Sequence, residues 1–449
     1  MSDPESQIRC LIEQKGINLH DERVAHAFDE IYCDINEYRC KFFIPKVCHF
    51  PGCQDFCLPM DQDVVYMLGE SLGLQPRKVV EDMQVELTKW GTMGALAHSL
   101  PHEPFNNCDE VPRSLMAKLI GALESEVVLM NTLTINLHLM MNFFYRPRSG
   151  KDKILYEEHI FPSDKYAIDS QCRTHGLDPA EVCIQVDISQ PIESVIETID
   201  RHGSELALII IGNVQYYSGA FVDIRVITEA AHKHGIVVGF DLAHAVGNVK
   251  LNLHEDDVDF SVWCTYKYLC GGPSSIGGMF IHERHFNDVS NRMDGWWGSK
   301  IESRFETLPV IDREEGAAGF RISNPCPFQT KPLNTALELI DEISFDRLLS
   351  KSKLLTQYLV MMLQSCVQGV TIITPLCPER RGSQISFIPP APFTVDEIKS
   401  ELFKRAIIVD GRDNIIRVAP VALYNTFLDV YKFVMGLREA IECLISCAG

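Results

Sequence analysis

Short apolar runs alternate with helix-patterned stretches from about Glu110 to Ile281, and this alternation limits the fold more than any other feature of the chain. The runs are Val127 to Met130, Ile154 to Tyr156, Val182 to Val186, Leu206 to Ile211, Ile236 to Phe240, Phe260 to Cys264 and Gly278 to Ile281. Strands separated by helices build a mostly parallel α/β sheet with both faces covered. Ligands in such sheets sit beyond the carboxyl ends of the strands, so the residues just after each run are the ones to read for chemistry.

The flanks read differently. Residues 1–105 carry helices and irregular segments, with proline and glycine punctuation from Pro45 to Pro59 and from Gly91 to Pro104; they form an arm that partly joins the last domain. Residues 106–332 make the large domain. Residues 333–449 make a smaller α+β domain: a helical stretch from about Leu333 through Leu349 and Leu363, strand-like Val370 to Ile373, Gln384 to Ile388, Ile407 to Asp410 and Ile415 to Val418, then helix-like Phe427 to Cys447.

Forty-one basic against 61 acidic residues leave a formal charge of −20, and no basic run interleaved with aromatics offsets it. Such a surface repels nucleic-acid backbones and anionic membranes, which leaves small-molecule chemistry. No apolar run reaches the ~18 residues of a spanning helix. Sixteen cysteines would suit a disulfide framework, but Met1 to His20 contains no apolar export segment, so a reducing cytoplasm is the expected compartment. Cys48, Cys53 and Cys57, with His49 beside them, do not have zinc-site spacing, and His282 and His285 are one residue too close for a zincin motif. No metal is expected. Glycine-rich nucleotide fingerprints, a Walker lysine and a GxSxG elbow are all missing.

At the strand ends two residues stand out. The run ending at Phe240 delivers Asp241, which either caps the next helix or presents a carboxylate to a ligand. The run ending at Cys264 continues into Tyr266, Lys267 and Tyr268 before Gly271 and Gly272, a setting that withdraws a lysine from water. Desolvation favours the neutral amine, and a neutral amine attacks carbonyls, so Lys267 is a candidate Schiff-base nucleophile. A lone lysine here would more often be a snorkelling surface residue. An acid and an amine one strand-helix-strand step apart are what a pyridine-ring cofactor needs, because the acid keeps the ring nitrogen protonated.

Other segments add to this. Asn131, Thr132, Leu133 and Thr134 precede the helix-like Ile135 to Phe144, where a helix start can hold a phosphate and one threonine can act as a plain cap. Phe161, Pro162, Ser163 and Asp164 could cover a flat ring and meet its polar edge, although a phenylalanine in a turn is usually core. Arg417 lies in an apolar stretch and needs a carboxylate, supplied by an amino-acid substrate or by an internal acid. Gly319 to Pro325 reads as a loop able to reach a site. His232 and His234 suit a helix carboxyl end, and Glu255 to Asp257 a solvated face.

With these residues in place, the chain resembles the kynureninases, pyridoxal-phosphate enzymes of the aspartate-aminotransferase fold, fold type I, from about Lys89 to Asp429. The strings that carry the resemblance are "LMNTLTINLH" (Leu129 to His138), "FPSDKYAIDSQ" (Phe161 to Gln171), "FDLAHAVGNV" (Phe240 to Val249), "WCTYKYL" (Trp263 to Leu269), "FRISNP" (Phe320 to Pro325) and "RVAPVALYN" (Arg417 to Asn425). The resemblance implies that Lys267 carries pyridoxal 5'-phosphate, that Asp241 pairs with its ring nitrogen and that Phe161 stacks on the ring, with Pro162, Ser163, Asp164 and His244 beside it. It implies phosphate binding by Leu133, Thr134, Tyr266 and a partner-supplied Trp296, hence a homodimer. Arg417 would take the substrate α-carboxylate, and His98 and Asn324 its aromatic end, Asn324 also lying near the cofactor. Lys267 and Tyr266 would be the catalytic pair.

The implied reaction is hydrolysis of L-kynurenine or 3-hydroxy-L-kynurenine to anthranilate or 3-hydroxyanthranilate plus L-alanine, in tryptophan catabolism towards NAD. Two departures stand out: Gly212 and Asn213 where the family often has a serine, and Cys270 to Ser275 in place of its usual Asn-Ala-Gly segment. The rival readings are an aminotransferase or cysteine desulfurase-like lyase of the same fold, with Cys326 as the one nearby thiol, and a non-catalytic scaffold.

Overall fold

Branched aliphatic runs settle as strands where both faces can be covered. The computed structural model describes residues 3–53, 58–100 and 102–448, so Cys57 of the thiol cluster lies outside the described residues. The strands, in chain order, are β1 (Val65–Tyr66), β2 (Val127–Leu129), β3 (Lys153–Glu157), β4 (Cys183–Val186), β5 (Leu206–Gly212), β6 (Val237–Asp241) and β7 (Phe260–Trp263). They continue with β8 (Gly278–Ile281), β9 (Thr371–Ile372), β10 (Ile385–Ile388), β11 (Ile407–Ile408), β12 (Asp410–Arg412) and β13 (Ile415–Val418).

The chain divides into two units. One comprises Lys78–Tyr216 and Phe221–Glu338 and holds a seven-stranded sheet in the order β2-β8-β7-β6-β5-β3-β4. Its inner strands are parallel, and β8 runs antiparallel to both β2 and β7. Val128, Ile154, Leu208, Ile210, Val262 and Met279 pack with Leu137, Met140 and Met141 of the helix Leu133–Phe144 and Ile168 and Cys172 of the helix Pro162–Thr174. Each such side chain, once fully buried, contributes about 1.5–3 kcal/mol. Gly212, Asp241 and Val262 are neighbours in register, so β5, β6 and β7 end side by side.

The other unit comprises Met1–Arg77, Tyr217–Ala220 and Leu339–Gly449. It contains the antiparallel sheet β12-β13-β10-β9 and a parallel pair in which Val65 of β1 meets Ile407 of β11. Val24 and Phe28 pack with Tyr358, Leu359, Phe427 and Phe433, and Phe28 stacks on Phe427 at 4.9 Å. Asp29 accepts the N–H groups of Phe427 and Leu428 at 2.9 and 3.1 Å, closing the amino end of the last helix from far upstream. Lys351 is buried here, its Nζ donating to Asn36 Oδ1, Ala422 O and Asn425 O at 2.7, 2.7 and 2.8 Å; burial lowers its pKa to about 7.

Two expectations shift. The helix expected from about Leu333 begins at Pro327 and runs to Ile343 through Pro332, which gives up one backbone hydrogen bond without ending it. The single strand expected over Ile407 to Asp410 is two, because the chain leaves β1 and joins β13 on either side of Val409.

Candidate active site

β6 ends on Asp241 at the carboxyl edge of the sheet. Its Oδ1 accepts the Ala243 N–H at 2.7 Å, and the residues after it form turns, so the helix-cap alternative is realised only as a turn clasp. Asp164, in the first turn of Pro162–Thr174, is 1% exposed, and its Oδ1 has no hydrogen-bond partner. Burial pushes the Asp164 carboxyl well above the usual range, the negative charges of Asp241 and Glu157 push it further, and Lys267 opposes them.

Glu157, the last residue of β3, completes this group. It is 4% exposed, its Oε2 accepts the Gly212 N–H at 3.0 Å, and its pKa rises to about 8, first through burial and further through Asp241. A Cβ at Gly212 would lie 3.0 Å from Glu157 Oε1, so glycine leaves room for this carboxyl where the family often carries a serine. Sequence reading passed over Glu157 because the apolar run ends at Tyr156; an acid directly after a buried run was the available signal. Three buried or half-buried acids thus meet at one edge. Such a set favours a cation among them, or else holds protons.

Lys267 lies on the loop after β7. Thr265 Oγ1 donates to Ile276 O at 2.6 Å, Gly271 N–H to Thr265 O at 2.9 Å and Cys270 N–H to Lys267 O at 3.0 Å. A Cβ at Gly271 would sit 2.8 Å from Thr265 O, and Gly272 has φ +93°, so the Cys270 to Ser275 segment depends on glycine to close. Lys267 and Tyr266 are half-buried, less withdrawn from water than the two flanking tyrosines suggest. Burial and the neighbouring Cys264 raise the pKa of the Tyr266 hydroxyl, so it stays a phenol and a donor.

Two helix starts meet beside these acids. The helix Leu133–Phe144 follows an extended Thr132 that makes no side-chain cap, so the expected threonine capping is not formed. Thr134 Oγ1 lies 2.7 Å from Ser163 Oγ at the start of the other helix. First-turn N–H groups lack acceptors within their helix, and both helix dipoles are positive at this end. Phe161 is 42% exposed, its ring edge-on to Tyr216 at 5.2 Å, so it is a surface aromatic and no part of the core. His244 is buried just after Asp241.

The remaining predicted residues stand on other segments. His98 is exposed and edge-on to Phe105 at 6.1 Å, and Asn324 is exposed on its loop. Trp296 is 59% exposed, with Nε1 donating to Arg304 O at 2.6 Å. In the other unit Arg417 is buried in β13 and pairs through Nε and Nη2 with Asp410, the internal acid that was one of its two expected partners. Cys326 is half-buried directly before the helix Pro327–Ile343.

The chain matches the class-V aminotransferase family over residues 65–413. It is 40% identical to the kynureninase of Nematostella vectensis over 98% of both chains, and 43% identical to that of Myxococcus xanthus over 87% of this chain and 92% of that one. Among solved structures it superimposes on a cysteine desulfurase from Escherichia coli with a TM-score of 0.72 at 17% identity, covering 91% of this chain and 98% of that one. The C-DES protein, solved with glycine covalently linked to its PLP cofactor, gives 0.73 at 14% identity, covering 87% of this chain and all of that one.

Proposed function

Because the chain belongs to the kynureninase family within the class-V aminotransferases, we propose that it hydrolyses the Cβ–Cγ bond of L-kynurenine or 3-hydroxy-L-kynurenine, giving anthranilate or 3-hydroxyanthranilate and L-alanine. The observation that carries this reading is the meeting of Asp164, Glu157 and Asp241 close to Lys267 at the strand ends. The cofactor is pyridoxal phosphate, and the residues fit it. Asp164 keeps a buried oxygen without a partner, as expected of an acid that faces a protonated ring edge, and the helix starts joined by Thr134 and Ser163 suit a phosphate. When bound, the cofactor supplies an electron sink for the bonds at the substrate's α-carbon.

The chain's own residues do the rest. Lys267 binds the cofactor, takes a proton from the substrate α-carbon and returns it. Asp241 and Asp164 would hold the proton on the ring nitrogen. Leu133, Thr134, Ser163 and Tyr266 would hold the phosphate, and Phe161, Pro162, His244, Gly212 and Asn324 would border the cofactor. Tyr266, kept protonated by its surroundings, donates a proton to the carbon from which the aromatic acid departs. Arg417, oriented by Asp410, clamps the α-carboxylate, and His98 and Asn324 face the aromatic end.

The working form is a homodimer in which Trp296 reaches the partner's phosphate; the exposed Trp296, Phe305 and Val310 support this. The net charge of −20 argues against a nucleic-acid partner. Among the described residues no helix is long and apolar enough to cross a membrane and every cysteine is a free thiol; the thiols support a cytoplasmic setting. The deciding experiment incubates the holoenzyme with each substrate and no keto acid. Equimolar alanine and aromatic acid is the expected result, whereas dependence on a keto-acid acceptor, or sulfide release from cysteine, overturns the proposal.

A further inference from the structure

The amino edge of the sheet carries a second concentration of ionisable side chains, remote from Lys267 along the strands. Glu126 directly precedes β2, His282 directly follows β8, and His254 lies in the turns before β7. Because β2, β8 and β7 are neighbours and β8 is antiparallel to both others, the three residues gather at one end of three adjacent strands. One donor atom from each lies within 4.8 Å of the other two. His254 Nδ1 is 3.0 Å from Glu126 Oε1, and His282 Nδ1 is 3.8 Å from the same oxygen. Donor atoms around a tetrahedral zinc, with bonds of about 2.0–2.1 Å, stand about 3.3–3.4 Å apart, so these separations straddle the required value.

The surroundings are arranged as those of a metal site are. Glu126 is fully buried, and the Leu123 and Glu283 N–H groups, each at 3.0 Å, fix its carboxylate. His282 Nδ1 accepts a long 3.3 Å bond from the Arg284 N–H, which identifies Nδ1 as the nitrogen bearing the lone pair. Its Nε2 faces Asp257 Oδ1 at 3.4 Å, so a carboxylate backs the ligating imidazole. Arg284, whose backbone N–H meets His282, has its guanidinium neutralised by Asp257 and Asp259. The His254 side chain is 28% exposed, which leaves an entry path.

We propose that Glu126, His254 and His282 bind a divalent transition-metal ion of the zinc class, which staples β2, β8 and β7 together at the end of the sheet opposite the active site. The ion takes the place of the proton between His254 and Glu126 and displaces only the weak Arg284 contact. Sequence spacing could not reveal it, since the ligands come from three segments far apart in the chain.

The test uses the holoenzyme, freed of metal with a chelator and titrated with Zn²⁺ by calorimetry. One equivalent per chain is expected, weakened about 100-fold or more in His254→Ala and His282→Ala and 10–100-fold in Asp257→Asn, as loss of a supporting carboxylate typically costs. His285→Ala, which touches Asp259 rather than the trio, keeps the site. Co²⁺ added to the unsubstituted protein gives an independent readout through the intense visible bands of four-coordinate cobalt. No uptake, a loss below tenfold in either histidine variant, or only the weak bands of hydrated Co²⁺ overturns the proposal.

Discussion

At the amino end of the sheet Asp259 lies just before β7 with both oxygens engaged: His232 at 3.0 Å and the Val238 N–H at 2.8 Å on one, His285 at 2.8 Å and Arg284 at 2.9 Å on the other. At the carboxyl end Asp164, equally buried, keeps an oxygen with no partner. Burial alone would raise both acids. The donors around Asp259 reverse that and hold it far below the usual range, while the acids around Asp164 add to it. Burial alone therefore does not fix the direction in which a buried acid shifts. The difference lies in whether the chain itself supplies enough counter-charge, and an edge where one lysine meets three acids is where a further cationic ligand belongs.

The comparison can be broken most sharply at Lys267. Lys267→Ala should lower turnover about a thousandfold or more and abolish covalent retention of the cofactor on denaturing gel filtration; normal kcat would remove the functional status of the carboxyl end altogether. Next comes Asp241→Asn, expected to reduce kcat by roughly 100-fold with cofactor still bound, because the ring nitrogen loses its acid. Steady-state rates on reconstituted enzyme check this. A full-rate variant would mean that the unmatched charge is incidental.

At the opposite end Asp259→Asn should leave kcat unchanged but cost about 3 kcal/mol, read from urea midpoints, since a satisfied buried ion pair loses one member. The depressed pKa of Asp259 gives a sign as well: its stabilisation is complete above the unfolded carboxylate range and is lost as pH falls below about 4. The smallest effect concerns Glu157. Its folded pKa is raised to about 8 from 4.5, so the cofactor-free protein is favoured where this carboxyl is protonated and loses stability as pH rises from 4.5 towards about 8. Glu157→Gln should flatten that decline between roughly pH 4.5 and pH 8, and an unchanged slope would assign it to Asp164 alone.

Much of this was legible in the chain before its structure. Apolar runs such as Leu206 to Ile211 could only be covered strands, and Asp241 and Lys267 stood directly at the ends of two of them. The direction of β8 was not readable, because a buried strand shows the same apolar run whichever way it points. Lys351 was missed in the opposite sense. A lysine in a helix reads as solvent-facing, yet three oxygens from distant segments bring this one inside, more buried than Lys267. The pairing of Thr134 with Ser163 likewise depends on two helices meeting, which local pattern does not encode.

The clasp from Asp29 to the start of the final helix bears on how the protein is made. A growing chain completes Lys78–Glu338 while the last helix is still inside the ribosome, so the sheet can form first. Val24 and Phe28 meanwhile lack Phe427 and Phe433, their packing partners, and stay available to chaperones until translation has nearly ended. A premature stop before Phe427 would thus leave the opening helices without part of their core and mark the nascent product for degradation, however well its seven-stranded sheet had formed.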